Sequence, residues 1–282
     1  MLQKNVTKIL VLGSALALSV TACGGSGDPD AQAAADNCTP AHDFSTAKDG
    51  VLTVALTNTP PYSYEENGEL AGIDSDILQD FAAQECLTIE YTPYTYATAV
   101  PAVQQGQADV AIGGFYRTAA RNEVVRLSAP VYLDELTVIS KEGHSTVDEI
   151  LGKRLGTVEG YLWVEELQQL PNTETRTFPD SLNLAQDLKA GRLDVGLDGY
   201  GAAARSAEGT DYQVKVLEQD DRVPATVEPS QTGFLMDPSN TEMGDAIDET
   251  IGGLRDSGKL AEILENNGLP ASAAEVGDSR LI

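Results

Sequence analysis

Residues 99–121, AVPAVQQGQADVAIGGFYRTAAR, change their periodicity three times in one short stretch. Residues 99–106 read as a short helix, with Gly106 as the left-handed stop that ends it. Residues 108–112 are a nearly unbroken apolar run and read as a buried strand. A glycine pair, Gly113–Gly114, then turns the chain, and Thr118 is the kind of residue that starts a helix. Helix, strand, glycine turn and helix in succession are the grammar of an α/β protein. The same stretch sets Arg117 and Arg121 four residues apart, beside two aromatics. Backbone and guanidinium groups aimed at a ligand would look like this.

The alternation extends in both directions. Upstream, 51–56 is a β-rich run stopped by Thr59-Pro60-Pro61, 72–84 reads as a helix with Asp74 or Ser75 near its cap, and 87–94 is another strand. Downstream, 153–158 is a strand that turns at Glu159-Gly160 into a helix over 161–170. A helix capped by Ser181 spans 181–191 and runs into a strand at 193–198. A late strand at 232–236 and two amphipathic helices near 240–256 and 258–266 close the chain. The pattern predicts an α/β protein with mostly parallel sheets in two lobes and a ligand crevice at strand ends.

The N-terminus reads differently. Lys4 and Lys8 precede an apolar run of about twelve residues, too short to span a bilayer and suited to a secretory signal. Small residues lead into Cys23, which resembles the lipobox of bacterial lipoproteins; an ordinary cleaved signal is the alternative. The domain reading is therefore a signal peptide at 1–22, a Gly/Ala-rich tether at 23–45, a first lobe at 46–134, a second at 135–230, and a return to the first at 231–282. Cys38 and Cys86 then remain as an even pair in an exported chain, open to a disulfide or to two buried thiols.

The formal charge of −26 repels nucleic acid and anionic lipid headgroups, so a nucleic-acid role is excluded. Only two histidines occur, His42 and His144, and no cysteine pair or histidine–acid cluster has metal spacing. No serine sits in a nucleophile elbow. No cofactor and no metal are expected.

Eight ordered motifs over residues 48–268 carry a resemblance: GVLTVA, PPYSY, GELAGIDSDI, VPAVQQGQADVA, the Arg121 helix start, LSAP, GKRLGTVEG and KAGRLDV. Together they resemble the family 3 extracellular solute-binding proteins, most of which serve polar amino-acid ABC importers. The resemblance implies a type II periplasmic-binding-protein fold, with two lobes and two hinge crossings near 133–136 and 227–232. It also implies a monomeric, lipid-anchored capture protein on the outer face of the cell membrane, with a permease as its partner. The same fold hosts cyclohexadienyl dehydratases, so an enzyme is the rival reading, and a surface lipoprotein without a transport role is another.

The resemblance places the ligand carboxylate on Arg121, whose planar guanidinium matches a carboxylate in pairs of hydrogen bonds. Gly114 would offer main-chain groups, and Tyr161 and Leu162 backbone N–H donors at a helix start. The ammonium would go to Asp198, unless the strand presents Gly199 instead. Tyr96 stands where a stacking tryptophan is common, and Tyr62 in the aromatic position after the proline pair. Thr59 leaves one wall open, and Asp74 and Asp76 are read as cap and packing residues. Tyr116 stands where relatives carry a small hydroxyl residue and Arg117 where they carry an apolar one, so both should alter specificity.

Overall fold

The computed structural model describes residues 38–282. The signal segment, Cys23 and the tether up to residue 37 lie outside the described residues. In chain order the elements are β1 (Val51–Thr57), β2 (Tyr64–Glu66), β3 (Glu69–Ala71), α1 (Ile73–Gln84), β4 (Thr88–Tyr94), α2 (Tyr96–Gln104), β5 (Val110–Ile112), α3 (Ala119–Asn122) and β6 (Arg126–Leu127). The chain then passes through β7 (Leu133–Asp134) into β8 (Leu136–Ser140), α4 (Val147–Ile150), β9 (Arg154–Val158), α5 (Val164–Gln169), β10 (Glu174–Phe178), α6 (Ser181–Lys189), β11 (Val195–Gly199), α7 (Tyr200–Ala207) and β12 (Gln213–Val216). It returns through β13 (Ser230–Gln231) to β14 (Leu235–Met236), α8 (Thr241–Asp256) and α9 (Lys259–Asn266).

Two five-stranded sheets result, ordered β4-β1-β5-β14-β6 and β10-β9-β11-β8-β12. The short pair β7–β13 joins them as a hinge, with Asp134 opposite Ser230 and Leu133 opposite Gln231. The sheets are mixed, not mostly parallel. Strands made by βα crossovers pair parallel, as β1 does with β4 and β5. Strands delivered by a hinge crossing enter the other way: β14 runs antiparallel to β5, and β8 antiparallel to β11. A crossing brings its strand in from the opposite lobe, with no helix to reverse the direction.

One core lies between the first sheet and α1, α8 and α9, built on Leu52, Ile77, Phe81, Ile247 and Leu264. The other starts on the opposite face of that sheet and continues into the second lobe through Tyr96, Phe115, Tyr116, Tyr161 and Trp163. Aromatic side chains therefore make the apolar bridge between lobes.

Local boundaries differ from the sequence reading where side chains found long-range partners. Gly72 is the N-cap of α1, because the Asp74 carboxylate is used elsewhere. Asp180, not Ser181, caps α6 by accepting from the Asn183 N–H. The helix expected from 161 begins at Val164, and residues 161–163 form a turn. Residues 42–45, assigned to the tether, are packed down: His42 bonds both oxygens of Glu85, and Phe44 stacks on Phe81 at 5.8 Å. Cys38 and Cys86 are disulfide-bonded.

Candidate functional site

The turn after β5 shows why two glycines stand there. Gly113 and Gly114 adopt φ of +148° and +66°. A Cβ on Gly113 would lie 1.7 Å from Thr57 Oγ1, and one on Gly114 would lie 2.9 Å from the Tyr62 ring. Both N–H groups donate to Asp74 Oδ2 at 2.9 Å, while Tyr132 donates its phenol proton to Oδ1. Burial lifts the Asp74 carboxyl to about 6, against those three hydrogen bonds. Asp74 is thus the brace of the turn and not a helix cap.

The braced turn opens onto a small cavity of about 10 Å³ between the lobes. Tyr62, Tyr96, Gly114, Tyr116, Arg121, Tyr161 and Leu162 all line it, so seven of the expected residues meet at one place. Gly113, Asp134, Trp163 and Gly199 line it as well. Its volume is near the lower limit for one water molecule, so a larger guest must part the surrounding side chains.

Arg121 reaches this space from α3, whose N-cap Thr118 accepts from the Arg121 N–H. Its guanidinium lies 5.3 Å from the ring centres of both Tyr96 and Phe115. It donates to the Tyr116 carbonyl at 2.7 Å and to the Gly160 carbonyl at 3.4 Å, one from each lobe. Tyr96, stacked on Phe115 at 4.1 Å and edge-on to Tyr161 at 4.6 Å, is raised to about 12 by burial, opposed by Arg121.

The acids are arranged differently from the expectation. Asp198 is fully buried but does not line the cavity; Gly199 does. Asp198 Oδ1 accepts from the Tyr161 phenol at 3.0 Å and from the Gly199 N–H at 2.9 Å. Its Oδ2 is buried without a hydrogen bond of good geometry, although Ser181 lies close enough to pull its carboxyl down. Burial is the larger effect and lifts Asp198 to about 6.

The carboxylate that does line the cavity is Asp134, from the hinge strand β7. Its Oδ2 accepts from the phenols of Tyr62 and Tyr116, each at 2.8 Å, and its Oδ1 from the Tyr200 N–H at 3.1 Å. Burial raises it to about 7, the two phenols pull it down, and Asp198 pushes it further up. The Tyr62 oxygen also accepts from the Gly201 N–H at 2.8 Å, which ties the first lobe to the start of α7. Sequence reading missed Asp134 because its phenol partners are 72 and 18 residues away. An acidic pair, Asp134–Glu135, set between apolar residues in a hinge crossing was the available signal. For Trp163, it was a lone tryptophan two residues from Tyr161.

Two expectations fail on geometry. The Arg117 guanidinium turns away from the cavity and donates to the carbonyls of Ser128 and Arg280 and to Gln231 Oε1. It therefore adds no cation to the pocket. The Tyr161 N–H points at the Val158 carbonyl at 3.3 Å, within the turn that replaces the expected helix start. Tyr161 meets the cavity through its ring instead.

Among the described residues no group of three or more His, Cys, Asp or Glu is placed to share a metal ion. What the cavity offers is one guanidinium, one carboxylate and several aromatic faces, a set able to hold both ends of a small zwitterion.

Known proteins repeat this architecture. The chain is similar to the L-cystine-binding protein TcyJ of Escherichia coli, 23% identical over 77% of this chain and 82% of the relative. It is similar to the arginine-binding extracellular protein ArtP of Bacillus subtilis, 20% identical over 90% of this chain and 94% of the relative. Among solved structures, an amino acid ABC transporter substrate-binding protein, AbpA, from Streptococcus pneumoniae, bound to L-arginine, superposes with a TM-score of 0.70. That match is 25% identical and covers 81% of this chain and 97% of the other. Residues 52–269 match the family described as bacterial extracellular solute-binding proteins, family 3, and with the fold and interlobe cavity in agreement the chain belongs to that family.

Proposed function

We propose that the protein captures a small amino-acid-like solute between its lobes and hands it to the permease of an ABC importer, binding it without catalysis. The observation that carries this reading is Arg121. Its guanidinium lines the interlobe cavity and already takes carbonyl partners from both lobes. A ligand carboxylate can replace those carbonyls with paired, charge-assisted hydrogen bonds. Entry of the guest parts the side chains that meet across the cavity, and the aromatic walls then exclude water from the ion pair. Acylation of Cys23 would hold the body at the outer face of the membrane as a monomer, within reach of the permease.

The test is calorimetric titration of the full-length, anchored protein in detergent with a panel of amino acids and related amines. Arg121→Ala is expected to weaken the best ligand at least about 100-fold, the usual consequence of stripping a partner from a buried ion pair. The thermal midpoint without ligand should move little, because the Arg121 side chain is partly exposed. Affinity retained within a few-fold in Arg121→Ala would refute the assignment.

A further inference from the structure

We infer that Asp134, in the hinge strand, is the seat for the cationic group of the ligand, so that the ligand's ammonium or amidinium is read at the hinge and not by Asp198 of the second lobe. The inference rests on the solute-binding reading and specifies how that site recognises charge.

Position comes first. Asp134 presents its carboxylate in the cavity lining, whereas Asp198 is shielded from it by the Tyr161 ring to which it is bonded. Access differs as well. A Cβ on Gly199 would lie 2.3 Å from Asp134 Oδ2, so the absence of a side chain there is what lets the carboxylate reach the cavity edge.

Bonding capacity does not separate the two acids, since Asp198 Oδ2 lacks a hydrogen bond of good geometry, and position and access carry the choice. Asp134 accepts from Tyr62, Tyr116 and the Tyr200 N–H, and the Glu135 N–H also pulls its carboxyl down. Two of these donors are phenols, whose O–H proton can rotate about the C–O bond when a cation takes the carboxylate. Charge balance completes the case. Asp134 and Asp198 are two buried acids, and Arg121 is the one cationic side chain among the described residues that line the cavity. An incoming cation offsets the excess. The charged or titratable groups around Asp134 are Tyr62, Tyr116, Tyr132, Asp198 and its chain neighbour Glu135, with Tyr161 and Arg121 lining the same cavity.

Two measurements test this. The first compares Asp134→Asn and Asp198→Asn by calorimetry, using L-arginine, L-histidine and L-cystine, then the remaining amino acids, each beside its desamino analogue. Asp134→Asn should weaken the amine about 10- to 100-fold and nearly erase its advantage over the analogue. Asp198→Asn should keep that advantage. The opposite pattern would overturn the inference while leaving solute binding intact. If the wild-type protein binds nothing on the panel, solute binding and this inference fall together.

The second measurement needs no variant and guards against a misfolded Asp134→Asn. Wild-type binding enthalpies in buffers of different ionisation heat report proton exchange. A cation arriving at Asp134 should expel protons at pH 7, since burial raises that carboxyl to about 7 before binding. Binding with no proton release, or with uptake, would count against Asp134.

Discussion

Asp74, Asp134 and Asp198 are each buried, and each carboxyl is held above the ordinary 3.8, at about 6, 7 and 6. The folded chain therefore keeps protons that the unfolded chain has lost, between about pH 4 and pH 6 to 7. Stability falls as pH rises through that window. His42, raised by its hydrogen bond to Glu85, acts in the same direction, because its folded form also holds its proton longer. The acids held low, Asp194 by Arg154 and Asp220 by Arg222, both at about 2, oppose this only below about pH 4. Thermal unfolding without ligand should therefore show a higher midpoint at pH 5 than at pH 7.5. Asp134→Asn should flatten the slope by an amount on the order of a few kcal/mol across the window. A slope that survives unchanged in Asp134→Asn would mean that this carboxyl ionises freely in the fold.

At the scale of elements, the segment after α9 is tied to both the hinge and the turn that leads into α3. Gln231 of β13 donates to the Val276 and Asp278 carbonyls at 2.8 and 2.7 Å and accepts from the Arg280 N–H at 2.9 Å. Ile282 pairs with the backbone of Arg117 and Ala119, just before Arg121. Gln231→Leu would leave several of these buried groups unpaired and should cost about 3 kcal/mol in denaturant unfolding. Amide hydrogen exchange should speed up over 276–282; unaltered exchange there would show that the segment is held by other contacts. None of this was legible in the sequence, because Arg117 and Arg280 are 163 residues apart and nothing local marks either as paired. Local signals were reliable where they were self-contained. The glycine turn, the Thr118 cap and the Gly106 stop are each marked by a local residue type, and each was readable. The start of α5 was not, because residues 161–163 follow the packing of Tyr161 and Trp163 against the cleft aromatics and not their helical propensity.

For the whole molecule, alternation of strand and helix was enough to expect two lobes, and the family resemblance added the two hinge crossings. The identity of the cavity acid was not, because it depends on how the lobes meet. That meeting is made of rings. Tyr116 of the first lobe lies edge-on to Trp163 of the second at 5.6 Å, and Tyr96 meets Tyr161 in the same manner. Trp163 is nearly fully buried, donates its indole N–H to Thr157 at 2.8 Å, and is the chain's one tryptophan. Its emission therefore needs no deconvolution, and it comes from the wall that a guest must push aside. Titration with a bound solute should shift or quench this emission with the same midpoint that calorimetry gives, and Trp163→Phe should remove the signal. A silent Trp163 during calorimetrically proven binding would place the guest elsewhere. The chain thus carries an optical gauge of its own occupancy, usable without any attached dye.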